Sequence, residues 1–179
     1  MFGDDNKITT ERLILRGMTH DDFDALCKVL GDSDIMRHYP HTFDEKRVRF
    51  WIDRNIERYR VFGFGLWAVT LKSTGEMIGD CGLTMQNVND FIRPEIGYHI
   101  ARVHQRRGYA SEAARGVLDY SFKNTPFGVI CSYMKKDNAA SSATAKSVGM
   151  KFELEFTDNE GELCEVYSIS RGEWEKAGK

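Results

Sequence analysis

A mixed α/β fold follows from three features of the sequence. Short apolar runs show the two-residue alternation of strands, longer stretches repeat apolar residues at three and four, and the two kinds interleave along the chain. The 179 residues, 41 % hydrophobic and 12 % aromatic, suffice for one well-filled core, and no linker, repeat or low-complexity tract divides them. We expect a single domain over 1–179 with its structured core at about 8–170.

Ile8, Leu13 and Leu15 alternate with polar neighbours, so Ile8 to Arg16 reads as a strand. His20, Asp21 and Asp22 then open an apolar-periodic helix that reaches Leu30. From Asp44 to Arg60, Val48, Trp51, Ile52, Ile56 and Tyr59 make an amphipathic helix, which Gly63 and Gly65 stop. Leu66 to Leu71 and Met77 to Met85 flank Lys72-Ser73-Thr74-Gly75 and read as an antiparallel hairpin. Glu95 to Ile100 is a further strand. Tyr109 to Phe122 follows as a helix with Ala110, Ala113, Ala114, Val117, Leu118 and Ser121 on one stripe. Val129 to Met134 reads as a strand and Asn138 to Val148 as a helix of small residues. Lys151 to Phe156 and Leu163 to Ser170 form a closing hairpin about Asp158 to Gly161.

Composition excludes several classes of function. Lys and Arg number 25 against 27 Asp and Glu, a formal charge of −2, so nucleic acid is not an expected partner and any phosphate site must be local. Cys27, Cys81, Cys131 and Cys164 contain no Cys-x-x-Cys pair, which fits a reduced, cytoplasmic chain. Met1 to Thr10 is polar and acidic without a signal-peptide core, and no stretch approaches the ~20 apolar residues that span a bilayer. Neither export nor a membrane partner is expected. His38-Tyr39-Pro40-His41 has no third ligand at zinc spacing, so it reads as a loop at the site entrance and no metal is assigned.

The chemistry concentrates at Gln105-Arg106-Arg107-Gly108-Tyr109-Ala110-Ser111-Glu112, where a strand ends and a helix begins. The first N–H groups of a helix lack internal partners and the dipole is positive there, so this junction suits an anion. Gly108 admits close backbone approach, Ala110 keeps the first turn small, and Arg102, Arg106 and Arg107 add positive charge. An ordinary solvated helix start is the plain alternative. Neither a Gly-x-x-x-x-Gly-Lys-Ser/Thr loop nor a Gly-x-Gly-x-x-Gly fingerprint is present.

Four motifs in order resemble the GNAT acetyltransferase superfamily: Thr10-Glu11-Arg12-Leu13-Ile14-Leu15-Arg16, Glu95-Ile96-Gly97-Tyr98, Gln105 to Ala110, and Asn138-x-x-Ser141 ending in Gly149-Met150. Within it the chain is similar to the Rim-type ribosomal-protein N-acetyltransferases. The resemblance implies a mixed, twisted sheet with helices on both faces. Its central parallel strands, here Arg93–Ile100 and Val129–Met134, would splay around acetyl-CoA. It further implies that Gln105, Arg106, Arg107, Gly108, Tyr109, Ala110 and Ser111 wrap the pyrophosphate. The backbone of Ile100, Ala101 and Arg102, together with Asn138, would hold the pantetheine arm. Asn138 also reads as a helix cap.

Acyl transfer to an amine needs a neutral amine, aligned reactants and a proton for the departing thiolate. Glu95 is the candidate base, because burial on a strand raises a carboxyl pKa toward neutrality, with an ion pair to Arg93 or Arg102 as the alternative. Many superfamily members carry a Tyr seven residues after the Asn; Ala145 stands there, so Ser141, the hydroxyl of the Rim-type branch, is the candidate acid, with Tyr133 as a further hydroxyl. Phe43, Phe50, Trp51, Tyr59, Phe62, Phe64 and Trp67 read mostly as core, and His99 and His104, flanking the anion loop, receive no catalytic role. The expected partner is an amine, either a protein or peptide N-terminus or a small molecule, with the chain a monomer or homodimer. A non-catalytic acyl-CoA-binding module would keep the loop and Asn138 without depending on Glu95 or Ser141.

Overall fold

The computed structural model of the chain describes residues 7–178; the first six residues, part of the acidic N-terminal stretch, and residue 179 lie outside the described residues. The strands are β1 (Ile8–Thr9), β2 (Leu13–Arg16), β3 (Leu66–Leu71), β4 (Met77–Val88), β5 (Phe91–Ile100), β6 (Val129–Lys135), β7 (Lys151–Thr157) and β8 (Leu163–Ser170). The helices are α1 (Phe23–Leu30), α2 (Glu45–Phe62), α3 (Tyr109–Asn124), α4 (Ala139–Ser147) and α5 (Arg171–Ala177). All eight strands join one sheet in the order β1-β2-β3-β4-β5-β6-β8-β7.

Three differences from the sequence reading have local causes. The segment Ile8 to Arg16 is two strands, because the chain reverses at Thr10, whose N–H donates to Leu13 O at 3.1 Å, and Ile8 then faces Leu15. β4 runs three residues past Met85 and β5 starts at Phe91, joined by Asn89 and Asp90 with φ of 50° and 64°. Two successive left-handed residues make the turn whose twist matches a hairpin, and Asn and Asp tolerate that conformation best after glycine. Beyond the last expected strand, Ser170 and Glu173 form a capping box that starts α5, and Trp174 of that helix packs on Phe122 at 5.3 Å between rings.

Helices cover both sheet faces. α3 packs Ala113, Ala114, Val117, Leu118 and Phe122 against Leu13, Leu15, Trp67, Ile78 and Ile96, while α1 and α2 pack Leu26, Leu30, Val48 and Ile52 against Leu66 and Ala68. The even–odd alternation of β3 divides it between the cores, with Trp67 and Val69 on one side and Leu66 and Ala68 on the other.

Trp67 is 2 % exposed between the rings of Tyr59 and Tyr120, at 6.4 and 5.3 Å. Trp67→Ala leaves a cavity there and should cost about 3–5 kcal/mol. Urea unfolding should show this as a lower midpoint at unchanged slope; a loss under about 1 kcal/mol would contradict the packing.

Candidate active site

β5 pairs with β4 along its whole length, from Phe91↔Val88 to Ile100↔Gly79, and β6 pairs with β8 from Val129↔Ser170 to Lys135↔Cys164. Between β5 and β6, the one parallel contact in the sheet, pairing is confined to Glu95↔Cys131. Past that point the strands part, and the backbone edges of 96–100 and 132–135 face a gap rather than each other. Their N–H and C=O groups on that side require other partners. The gap is a cleft of about 1190 Å³, walled by Gly97, Tyr98 and Ile100 on one side and by Ser132, Tyr133 and Met134 on the other.

One end of the cleft is the start of α3. Side chains cap the starts of α2, α4 and α5: Asp44 accepts from Arg47 N at 2.8 Å, Asn138 from Ser141 N at 3.1 Å, and Ser170 from Glu173 N at 3.3 Å. Gly108, the corresponding residue of α3, sits at φ 81° and has no side chain with which to cap. The first N–H groups of α3 are therefore open donors at the positive end of the helix dipole. Arg106 takes a left-handed φ of 59° just before them, and a Cβ at position 108 would stand 3.3 Å from Arg12 Nη2. Gln105, Arg106, Gly108, Tyr109, Ala110 and Ser111 all line the cleft. His104 beside them carries the buried side-chain nitrogen that lacks a partner among the described residues, Nδ1. Gln105 Nε2 donates to Ile100 O at 2.9 Å and so joins the loop to the end of β5.

Sequence reasoning missed how this loop is held. Glu112, in the first turn of α3, accepts from Thr10 Oγ1 at 2.6 Å, Arg12 N at 2.7 Å and Arg12 Nε at 2.6 Å. Burial pushes its pKa up, but these bonds outweigh it and hold the carboxyl below its ordinary range. Arg12 also donates from Nη1 to Arg107 O at 3.0 Å and lies 4.5 Å from the Tyr109 ring centre. The pattern Thr10-Glu11-Arg12, noticed as a motif, was the available signal. Of the residues assigned to the cofactor, Ala101 at the strand end and Arg107 in the loop lie outside the cleft lining, and the Arg102 guanidinium is taken by Asp32 at 3.0 Å and by Asp34. Arg102 therefore brings the loop little uncompensated charge.

Glu95 stands at the vertex of the cleft, 7 % exposed. Burial pushes its carboxyl up to about 7, against a hydrogen bond from Thr84 Oγ1 at 3.3 Å and the nearby His99 and Arg58. Gln86 Nε2 donates to Thr84 Oγ1 at 3.1 Å in turn. The ion-pair alternative is not realised, since Arg93 binds Glu153 at 2.7 and 3.0 Å while Arg102 binds elsewhere.

Ser141 lies on the opposite face of β5. Tyr98 OH donates to Ser141 O at 2.9 Å and stands 3.0 Å from Ser141 Oγ, which leaves the serine hydroxyl to donate to the tyrosine oxygen. Tyr98, three residues and one face away from Glu95, stands in the Glu95-Ile96-Gly97-Tyr98 motif but received no role from sequence; burial pushes its hydroxyl up to about 12. Tyr133 lines the same cleft and is likewise pushed up to about 12 by burial. Asn138 caps α4 with its amide oxygen, and Ala145 is 1 % exposed in the core, where a tyrosine ring has no room.

Of the aromatic residues before and on β3, Tyr59, Phe64 and Trp67 are core, Phe43 and Trp51 pack partly against the second core, and Phe50 and Phe62 are 62 % and 57 % exposed. Trp51 reaches the cleft, as do His38, Tyr39 and Pro40 of the loop before α2. Among the described residues no cluster of His, Cys, Asp and Glu has the makings of a metal site, and no helix is long and apolar enough to cross a membrane.

Residues 12–151 match the family model of the acetyltransferase (GNAT) domain. An uncharacterized N-acetyltransferase, p20, of Bacillus licheniformis is 31 % identical, over 94 % of this chain and 97 % of that protein. The crystal structure of a GNAT-family acetyltransferase from Bacillus anthracis superposes with a TM-score of 0.80 at 26 % identity, covering 93 % of this chain and 99 % of that one. RimL, a ribosomal L7/L12 α-N-protein acetyltransferase in complex with coenzyme A, shares the fold with a TM-score of 0.77 at 18 % identity, covering 92 % and 98 %. The family match over residues 12–151 and a relative 31 % identical along 94 % of the chain show that the protein belongs to the GNAT acetyltransferase family.

Proposed function

We propose that the chain transfers the acetyl group of acetyl-CoA to the α-amino group of a protein or peptide N-terminus, as a single catalytic domain in the cytoplasm. The family uses acetyl-CoA, and the residues of this cleft fit it. The open N–H groups at Gly108 to Ser111 suit the pyrophosphate, Arg106 and the unpartnered His104 Nδ1 add polar contacts, and the bare edge of 96–100 suits the pantetheine amides. Bound there, acetyl-CoA supplies an activated acyl carbon. Free thiols at Cys27, Cys81, Cys131 and Cys164 suit a reducing compartment.

The observation that carries the acceptor class is the Glu95 carboxyl at about 7 on the face opposite Ser141. An α-ammonium titrates near ~8 and a lysine near ~10.4, so proton transfer to such a base is uphill by about 1.4 kcal/mol for the first and about 4–5 kcal/mol for the second. Glu95 accepts that proton, and Ser141, tied to Tyr98, donates to the departing sulfur. The structural likeness to RimL supports the same acceptor class.

The acid limb of kcat/KM with an N-terminal peptide should have its midpoint near 7, the value to which Glu95 is raised. Glu95→Gln should lower kcat by about 10²-fold at unchanged affinity for acetyl-CoA; a full-rate variant would reject the base role. Turnover of small amines and not of peptides would replace the proposed acceptor. Binding without thiol release on any amine would favour an acyl-CoA-binding module.

Gly108→Glu places a side chain and a negative charge on the anion loop, and calorimetry should show acetyl-CoA binding lost with the circular dichroism spectrum retained. Unchanged affinity would move the cofactor site elsewhere.

The raised carboxyl pKa also fixes the sign of a stability effect. The folded state holds the Glu95 proton more tightly than the unfolded chain, from 4.5 up to about 7, so this contribution is present at low pH and lost as pH rises through about 7. Glu95→Gln should therefore gain on the native protein across that window, by about 3 kcal/mol above it. Melting temperatures of both proteins from pH 4 to 8.5 check this, and parallel curves would contradict it.

A further inference from the structure

We propose that Asp80, His99 and Tyr39 form a second proton-accepting unit for the amine, working beside Glu95. The inference rests on the acetyl-transfer reading above and adds residues to which the sequence assigned no catalytic role.

Geometry carries it. Glu95, Gly97 and His99 alternate onto one face of β5, opposite Thr84, Gly82 and Asp80 of β4. The middle pair of glycines puts no side chain between Glu95 at one end and Asp80 and His99 at the other. The Glu95 carboxylate leans over that gap: a methyl group at 97 would stand 3.3 Å from its Oε2. At the other end, Asp80 is fully buried and accepts from Trp51 Nε1 at 2.8 Å and from His99 Nδ1 at 2.7 Å. With Nδ1 carrying the proton, Nε2 is the acceptor, and it faces Tyr39 OH at 2.8 Å. Tyr39 is 44 % exposed, and both it and His99 line the cleft. The groups facing the imidazole are thus Asp80 of β4, Trp51 of α2, Tyr39 of the loop before α2, and Glu95 on its own strand. Burial disfavours the imidazolium, but Asp80 and Glu95 prevail and raise the pKa above its ordinary value.

The reaction supplies the need. In becoming an amide, an acceptor ammonium gives up two protons while the C–N bond forms and the thioester C–S bond breaks, and Glu95 holds only one. Glu95 takes the ammonium proton. The second proton, released as the C–N bond forms, goes to the Tyr39 oxygen as the Tyr39 hydroxyl passes its own proton to His99 Nε2, which leaves a neutral phenol and an imidazolium held by Asp80. Of the two, one ends on the released thiol through Ser141 and one in water.

Nitrogen-15 NMR of the protein without ligand tests the relay apart from turnover. His99 should show the Nδ1–H tautomer and titrate above 6.5, and Tyr39→Phe, which removes the donor to Nε2, should raise that midpoint further. An Nε2–H tautomer would overturn the assignment. In kinetics, Tyr39→Phe should lower kcat about 10-fold or more at unchanged KM for acetyl-CoA, and in a Glu95→Gln background the residual rate should rise with pH through the His99 midpoint. Tyr39→Phe with native kcat and pH profile overturns the relay alone. Native protein that turns over no amine overturns the acetyl-transfer reading, and the relay with it.

Discussion

The rest of this structure depends on a parallel strand pair whose backbone pairing is confined to one position. β5 and β6 are each committed to an antiparallel partner on their outer edges, so neither is free to close on the other once Glu95 and Cys131 have met. A sheet interior normally satisfies its own backbone; here two central edges are left in want of donors and acceptors. Those open groups, the depth of the cleft and the position of Glu95 at its vertex all follow from that single geometric fact.

The anion site at the other end follows from what α3 lacks. A side-chain cap at position 108 would satisfy the first N–H groups internally; Gly108 leaves them for a ligand, and its left-handed φ aims them into the cleft. Such a helix start is held from outside. Thr10 and Arg12 do so by saturating Glu112, so the short β1–β2 turn, remote in sequence by about a hundred residues, fixes the loop.

The two faces of β5 divide the chemistry. Odd positions 95 and 99 present a carboxyl and an imidazole to the helices α1 and α2, while Tyr98 reaches Ser141 on the α4 side. Burial in the first set favours neutral forms and moves the carboxyl toward the working range of an amine; burial in the second holds hydroxyls protonated and ready to donate. An extended strand is the simplest element that presents such groups to both sides of one cleft, because its side chains alternate.

Much of the fold was legible because periodicity and turn chemistry act locally. The amphipathic repeat of α2, the small-residue stripe of α3 and the hairpins about Gly75 and Gly161 need no partner to be read. The split of Ile8 to Arg16, the continuation into Val88 and the helix after Ser170 escaped, since hydrogen bonds and capping rather than hydropathy set those boundaries. At the site, the sequence by itself determined the strand–Gly108–helix junction and placed a carboxylate on a buried strand at 95, because residue type and spacing within one element decide both, whereas Ser141 entered through the family resemblance. Only the tertiary structure decided that Arg102 is neutralised, that Thr84 supports Glu95, that Tyr98 shares the proton of Ser141, and that Asp80, His99 and Tyr39 line up. Those relations join residues distant in sequence, and strand register and burial create them.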